Sequence, residues 1–576
     1  MSAVPITRTP STARAVNLRT ARPLFATLHI PDGAWTGRRV VLCPPLGYEG
    51  LFASTTLSHV AAHLAAHAGA AVLVLDYDGT GDSSGTDRDP GRVRAWLDSI
   101  HAAVRWLDEH APSSSPVAVV GLRSGALLAA IACGERPERL ALGLWAAQLT
   151  GRAFVREQRA FSALTTAGAD ADSADLGFDC NGFYFSQETA EALQPLSVVD
   201  AFTNAPAHLL VMHRAELPIA RVIPPHLREP ERGCAITEVQ TSDFPGLMQA
   251  PWLWESPTES TAALVDWACQ LPADAAATLR DVESASASAI VTPDATESAL
   301  RIGRSKLFAI LTKPSRGEPR ALALLIGATV GYRIGHTRLH VEMARRFAQQ
   351  GIASLRFDVT GVGGNRTTSP DPPPLPYEPR LTDDVLDAMQ WAWDAGYRQL
   401  VLHGVCAGAF HAWRAALASE IPVRLVLANL EEYWPIRYTL EEHMRTLAPL
   451  EPIAARIARA RHPRHLLRLG VELSKKVAKR LMVHVRANAP VGLHRSSFPT
   501  MLDTLARRGT ATSLLYSAGD QGIPLYRRHA GRHLERLERT GAVALTVVEG
   551  ADHSITSFAA RSSLIEAMVI DLDRAL

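Results

Sequence analysis

Residues 404–408 read Gly-Val-Cys-Ala-Gly, a stretch of the form Gly-x-nucleophile-x-Gly. Small residues around the centre let a strand turn sharply into a helix and project the central side chain above the sheet. Cys406 is therefore a candidate nucleophile, standing where most such turns carry Ser. The competing reading is a buried cysteine packing as a small hydrophobe, which suits Cys43, Cys133, Cys180, Cys234 and Cys269, scattered as they are with no CxxC pair. For Cys406 the downstream sequence argues otherwise, because the expected chain order is nucleophile, acid, histidine. TSLLYSAGDQGIP supplies a strand ending at Asp520, and VALTVVEGADHSI a last strand followed by His553. Gly519-Asp520 is also common turn chemistry, and Asp552 is a rival acid. Neighbouring side chains in a loop point apart, so Asp552 is poorly placed to orient the adjacent ring and Asp520 is favoured.

In such a site His553 holds Cys406 as a thiolate or takes its proton, Asp520 fixes the imidazole tautomer, and sulfur attacks an acyl carbon. Two donors must meet the resulting oxyanion. The backbone N–H of Ala407 is the first. The turn Gly327-Ala328-Thr329 is expected to supply the second, assigned to Ala328. No CxxC pair marks a metal site, and no cofactor is expected.

The elements that position these residues occur twice. RRVVLCPPLG, LSHVAAHLAAHAG and AAVLVLDYDGTGDSSG read as strand, helix, strand and Gly-rich exit, and ALALLIGATVGYRIG, HTRLHVEMARRFAQQG and IASLRFDVTGVGGN repeat that order. PVAVVGLRSGALLAAIACG and QLVLHGVCAGAFHAWRAALA then pair as strand, tight turn and helix. The fold class is α/β: a tandem repeat of two mostly parallel sheets flanked by helices. The first half keeps the elbow in Gly121-Leu122-Arg123-Ser124-Gly125, but Arg123 is always protonated and cannot be a nucleophile, and Ser124 falls one residue late. A catalytically silent first domain follows.

At 576 residues the chain is too long for one ordinary core. The expected organisation is a disordered N-terminus over 1–20, a degenerate domain over 21–272, a linker over 273–294 that is rich in Ala, Ser, Asp and Thr, and a catalytic domain over 295–576. Apolar residues make up 47%, charged residues 20% and the net charge is +1, which excludes wholesale disorder and gives no global drive toward nucleic acid or membrane. Neither a signal peptide nor an apolar run of ~18 residues is found, so the expected compartment is cytoplasmic. A helical cap is expected over about 431–505. Between Arg456 and Arg486 it holds ten basic residues, Lys475, Lys476, Lys479 and Arg480 among them, against the single acid Glu472. A charge run is usually a solvated face; the functional reading is a dock for an acidic partner.

GATVGYRIGHTRLH, LRFDVTGVGGN and GVCAGA resemble the Cys-elbow subtype of the α/β-hydrolases associated with exosortase systems, a branch close to the serine aminopeptidase-like group. PPLGYE, LDYDGTGDSSG, GLRSGALLA and WAAQLTGRAFVRE resemble its Arg-elbow subtype. The resemblance covers nearly the whole chain and implies two α/β-hydrolase domains, the second with a Cys-His-Asp triad. The departures are the fusion of both subtypes and Trp252 where Arg-type relatives tend to place a His.

A basic lid above a reactive cysteine suits an acyl carrier protein, which is acidic and delivers an acyl thioester. The arrangement also resembles carrier-protein acyl shuttles of nonribosomal peptide pathways. The leading expectation is an acyltransferase or thioesterase acting on a carrier-bound or CoA-bound acyl group through acyl-Cys406. Hydrolysis or cyclisation of a free ester, lactone or amide is the second, since dienelactone-type hydrolases also use Cys. A non-catalytic pseudo-hydrolase scaffold is the third.

Overall fold

The computed structural model describes residues 11–573 except 137–139, 166–176, 203–205, 215–222, 230, 232, 281–289, 328–330, 367–368, 370 and 433–497. Two large sheets carry the chain, one from each half. The first is built from β1 (Ser11–Leu18), β2 (Leu24–Pro31), β3 (Arg39–Cys43), β4 (Ala71–Leu75), β5 (Val117–Leu122), β6 (Leu140–Trp145), β9 (His208–His213) and β10 (Ala235–Gln240), with β7 (Phe178–Cys180) and β8 (Phe183–Phe185) pairing separately. The second comprises β11 (Ile290–Val291), β12 (Ala295–Ile302), β13 (Leu307–Pro314), β14 (Leu322–Ile326), β15 (Ala353–Phe357), β16 (Leu400–Val405), β17 (Arg424–Ala428), β18 (Thr512–Ser517) and β19 (Val543–Val548).

The strand orders β1-β2-β4-β3-β5-β6-β9-β10 and β12-β13-β15-β14-β16-β17-β18-β19 superpose one for one, with β11 added at the second sheet's edge. In each, the outer strands pair antiparallel and the last six run parallel. Parallel strands covered on both faces need continuous apolar sequence, and all five residues of both β3 and β14 are buried.

The helices of the first half are α1 (Tyr48–Ala68), α2 (Arg92–His110), α3 (Ser124–Glu135), α4 (Gly151–Thr165), α5 (Gln187–Leu193), α6 (Val198–Ala201) and α7 (Thr258–Gln270). The second half contributes α8 (Leu339–Gln349), α9 (Pro379–Asp394), α10 (Ala407–Ala418), α11 (Phe498–Arg507), α12 (Gly522–Arg539) and α13 (Phe558–Asp573). They divide each half into a core on either side of its sheet.

Three boundaries differ from the sequence expectation, one of them at residues 290–291, assigned to the linker, which form β11 because Ile290 is buried against Phe308 and Ile310. Residues 11–18, assigned to a disordered terminus, form β1, because Val16 and Leu18 alternate into the core against β2. Residues 498–505, assigned to the cap, belong to α11, whose Phe498, Leu502 and Leu505 are buried in the core of the second half. The body of the cap lies outside the described residues.

The halves meet through an apolar seam and a buried ionic one. Ala15 and Phe25 pack with Ile290, Phe308 and Ile310. Asp82 pairs with Arg333 at 2.7 Å and with Arg356. Arg338, just before α8, donates to the carbonyls of Gly81 (2.7 Å), Gly85 (2.6 Å) and Ser83.

Candidate functional site

Cys406 sits between β16 and α10 with φ 53° and ψ −115°, a conformation sparsely populated by L-residues and held only where surroundings over-determine it. The flanking glycine is a packing requirement: a Cβ on Gly404 would stand 2.3 Å from the backbone carbon of Gly408. The Cys406 N–H donates to the Ala428 carbonyl (3.0 Å), tying the turn to β17.

His553 follows β19, and its Nδ1 lies 2.7 Å from Oδ2 of Asp520, which follows β18. The Asp520 side chain is buried and its other oxygen accepts the Gly522 N–H at 2.7 Å. Asp552 turns away: its Oδ1 accepts the Thr556 N–H (2.6 Å) and hydroxyl (2.9 Å) within its own loop. The pKa of His553 is pushed up to about 11, first by the hydrogen bond to Asp520 and next by one to the Cys406 side chain. With Nδ1 committed to Asp520, Nε2 is the ring nitrogen left for the sulfur. Asn429 fixes the loop by donating to the His553 carbonyl (2.7 Å) and to Ser517 Oγ (2.9 Å).

Ala407 opens α10, so its N–H belongs to the first-turn donors that have no partner inside the helix. Ala328 lies outside the described residues, as do Lys475, Lys476, Lys479 and Arg480. Burial pushes the Cys43 and Cys180 thiols up to about 12 and Cys133 higher still, leaving these three inert.

Three polar side chains were missed at the sequence level. The Tyr377 hydroxyl is 3.5 Å from Cys406 Sγ. Glu431 Oε1 is 3.6 Å from His553 Nδ1, and Glu432 is its neighbour; burial raises both carboxyls, that of Glu432 to about 7 with Glu431 adding to the rise. Tyr377 precedes α9 in a Pro-rich loop with no motif to mark it. The Glu pair was readable, because it occupies the exit of β17 that Gln148 occupies after β6. Ligand atoms of Glu431, Asp520 and His553 lie within 4.8 Å of one another, an N,O,O set that suits a divalent ion. Such an ion would compete with Asp520 for Nδ1.

The first half reproduces the elbow with Arg123 at φ 55°, ψ −118°. Its guanidinium bonds Glu49 (3.1 Å), Gln148 (3.1 Å) and Glu157 (2.7 Å), filling the space above the sheet with an ion-pair cluster. Ser124 Oγ accepts the Leu46 N–H at 2.8 Å and holds the loop after β3. Trp252 lies in a short turn, Pro251–Leu253.

A mostly parallel sheet of this strand order is an α/β fold, with an elbow residue after β16 and an acid and a histidine after the last two strands. Residues 327–561 match the family described as Alpha/beta hydrolase family. No curated protein matches the chain. Similar solved structures include an α/β serine hydrolase without a lid from Xanthomonas campestris (13% identity, 50% of this chain, 97% of that chain, TM-score 0.27) and the proline iminopeptidase of Mycobacterium smegmatis (16%, 45%, 98%, 0.32). A dienelactone hydrolase from Anabaena variabilis is a third (14%, 50%, 100%, 0.30). Among the described residues no helix is long and apolar enough to cross a membrane.

Proposed function

We propose that the chain is a cysteine-nucleophile acyl-transfer enzyme working through an acyl-Cys406 intermediate on a carrier-bound or CoA-bound thioester, with residues 295–576 catalytic and residues 21–272 a silent Arg-elbow partner. The observation that carries this reading is the strained elbow at Cys406 together with the 2.7 Å contact between His553 and Asp520. An Asp-bound imidazolium beside the sulfur favours the thiolate, the nucleophilic form.

In this mechanism the thiolate adds to the acyl carbonyl, forming the C–S bond and an oxyanion that the N–H groups of Ala407 and Ala328 receive. Collapse breaks the bond to the leaving group, which takes the proton from His553. An incoming thiol, amine or water then gives its proton to His553 and attacks the thioester, releasing Cys406. Thiolate attack on a thioester is nearly isoenergetic exchange, and the basic residues Lys475, Lys476, Lys479 and Arg480 suit an acidic carrier.

The family match over residues 327–561 favours a second reading, hydrolysis of a free ester, lactone or amide at the same cysteine. Intact-mass measurement after mixing with an acyl carrier protein or acyl-CoA tests the proposal. An acyl adduct on the wild-type chain that is lost in Cys406→Ala is expected; turnover of small esters with no adduct from any thioester would replace it with the second reading.

A further inference from the structure

A cavity of about 130 Å³ lies between the two halves, and Cys406 is not among its lining residues. Thr27, His29, Ser58 and Asp76 of the first half form part of its wall, with Tyr332 and Arg338 of the second. His29 is only 3% exposed. Alternation along β2 sends Leu24, Ala26 and Leu28 into the core on one face, which leaves His29 on the other, toward α1. Neither of its ring nitrogens has a hydrogen-bond partner among the described residues. Burial pulls its pKa down to about 4, so the ring is neutral and presents one donor and one acceptor. Buried polar atoms are almost always paired, and two orphaned nitrogens on one fully buried ring call for an occupant.

The chemistry of that occupant follows from what the surroundings already satisfy. Asp82 is paired with Arg333 and Arg356, and the Arg338 guanidinium is engaged by three backbone carbonyls. Asp76 accepts the Asp82 N–H at 2.9 Å, and burial, then the Asp82 charge, raise its carboxyl to about 7. A charged ligand would upset this balance in a buried site, whereas a neutral one would not. Leu51, Leu57 and Val74 supply apolar wall. The volume is close to that of engineered cavities, about 150 Å³, that hold a benzene-sized molecule. We infer that this cavity is a binding site for a small uncharged molecule with an apolar body and one hydroxyl, the hydroxyl pairing with His29. Because Tyr332 and Arg338 lie on the crossover from β14 to α8, such a ligand bridges the two halves.

Ligand-observed fluorine NMR on the full chain, with 4-fluorophenol and fluorobenzene as probes, tests this. The phenol is expected to bind saturably and about five-fold more tightly than the hydrocarbon, as one added hydrogen bond implies. His29→Leu should erase that preference, and Ser58→Phe, which fills the cavity from α1, should abolish binding of both probes while the circular dichroism spectrum is unchanged. Absence of saturable phenol binding, the signature of a cavity holding water only, overturns the inference, as does a preference that survives in His29→Leu or binding that survives in Ser58→Phe.

Discussion

Replacing Asp520 with Asn isolates what the acid does for Cys406, because the amide keeps the shape of the carboxylate and removes its charge. The carboxylate holds His553 Nδ1 at 2.7 Å and is the main cause of the raised imidazole pKa. A hydrogen bond with a charged partner contributes about 1.5–3 kcal/mol. The His553 side chain is 37% exposed, so solvent screens the pair and the lower end applies. About 1.5 kcal/mol lost from the positioned imidazole is a factor of roughly ten in a rate that depends on it. Second-order alkylation of the chain by iodoacetamide at pH 7, read at Cys406 by peptide mass spectrometry, should therefore fall about ten-fold in Asp520→Asn. Asp552→Asn, whose carboxylate caps its own loop, should leave the rate within two-fold. A wild-type rate in Asp520→Asn, or the larger loss in Asp552→Asn, would refute the assignment of the acid.

The pH dependence of stability carries the same signature. A folded-state pKa raised from 6.5 to about 11 gives a stabilisation that is full below the unfolded value and lost as pH rises through the folded one, so the wild-type denaturation midpoint should fall across that window more than that of His553→Gln. Tyr377→Phe removes the hydroxyl 3.5 Å from Sγ and should slow Cys406 labelling about two- to five-fold without changing the fold. Arg123→Leu leaves Glu49, itself largely buried, without its cation; chemical denaturation should show a loss of roughly 1–3 kcal/mol, recovered in part by Arg123→Leu combined with Glu49→Leu. Arg338→Met orphans the carbonyls of Gly81 and Gly85 and leaves that of Ser83 to Arg345 alone, and amide exchange of the 79–85 loop should speed up at least ten-fold.

Much of the fold was legible because its signals are local. Continuous apolar runs such as Leu322–Ile326 suit parallel strands covered on both faces, and the glycine at 404 is demanded by a backbone contact that no side chain tolerates. The repeat could be read because both halves place the same turns at the same points of the same strand order. The residues that escaped depend on distant packing. Tyr377 reaches Cys406 from the loop before α9, and nothing in its neighbours in the chain announces that contact. β1 was lost among Ser, Thr and Arg, since the strand is held by its ladder to β2. The buried ionic seam is likewise invisible in sequence: Asp82, Arg333 and Arg356 look like surface charges until the halves meet.

That seam ties the half whose elbow carries Arg123 to the half whose elbow carries Cys406. Both elbows have the same strained geometry, φ 55° at Arg123 and φ 53° at Cys406. What differs is what surrounds the apex. Arg123 is enclosed by Glu49, Gln148 and Glu157, while Cys406 faces a histidine held by an acid. The Gly-rich exit of β4 meanwhile serves the second half: Asp82 takes Arg333 and Arg356, and its loop carbonyls take Arg338. Arg333 and Arg338 lie on the segment between β14 and β15, which begins at the turn assigned to the oxyanion, and Arg356 lies on β15 itself. Removing the first half would strip buried cations of their partners along that segment, a cost that a free catalytic domain would have to meet by rearranging it. The two halves are thus expected to unfold as one unit, and the Cys406 half expressed alone should lose structure first between residues 331 and 338, where amide exchange can be read directly.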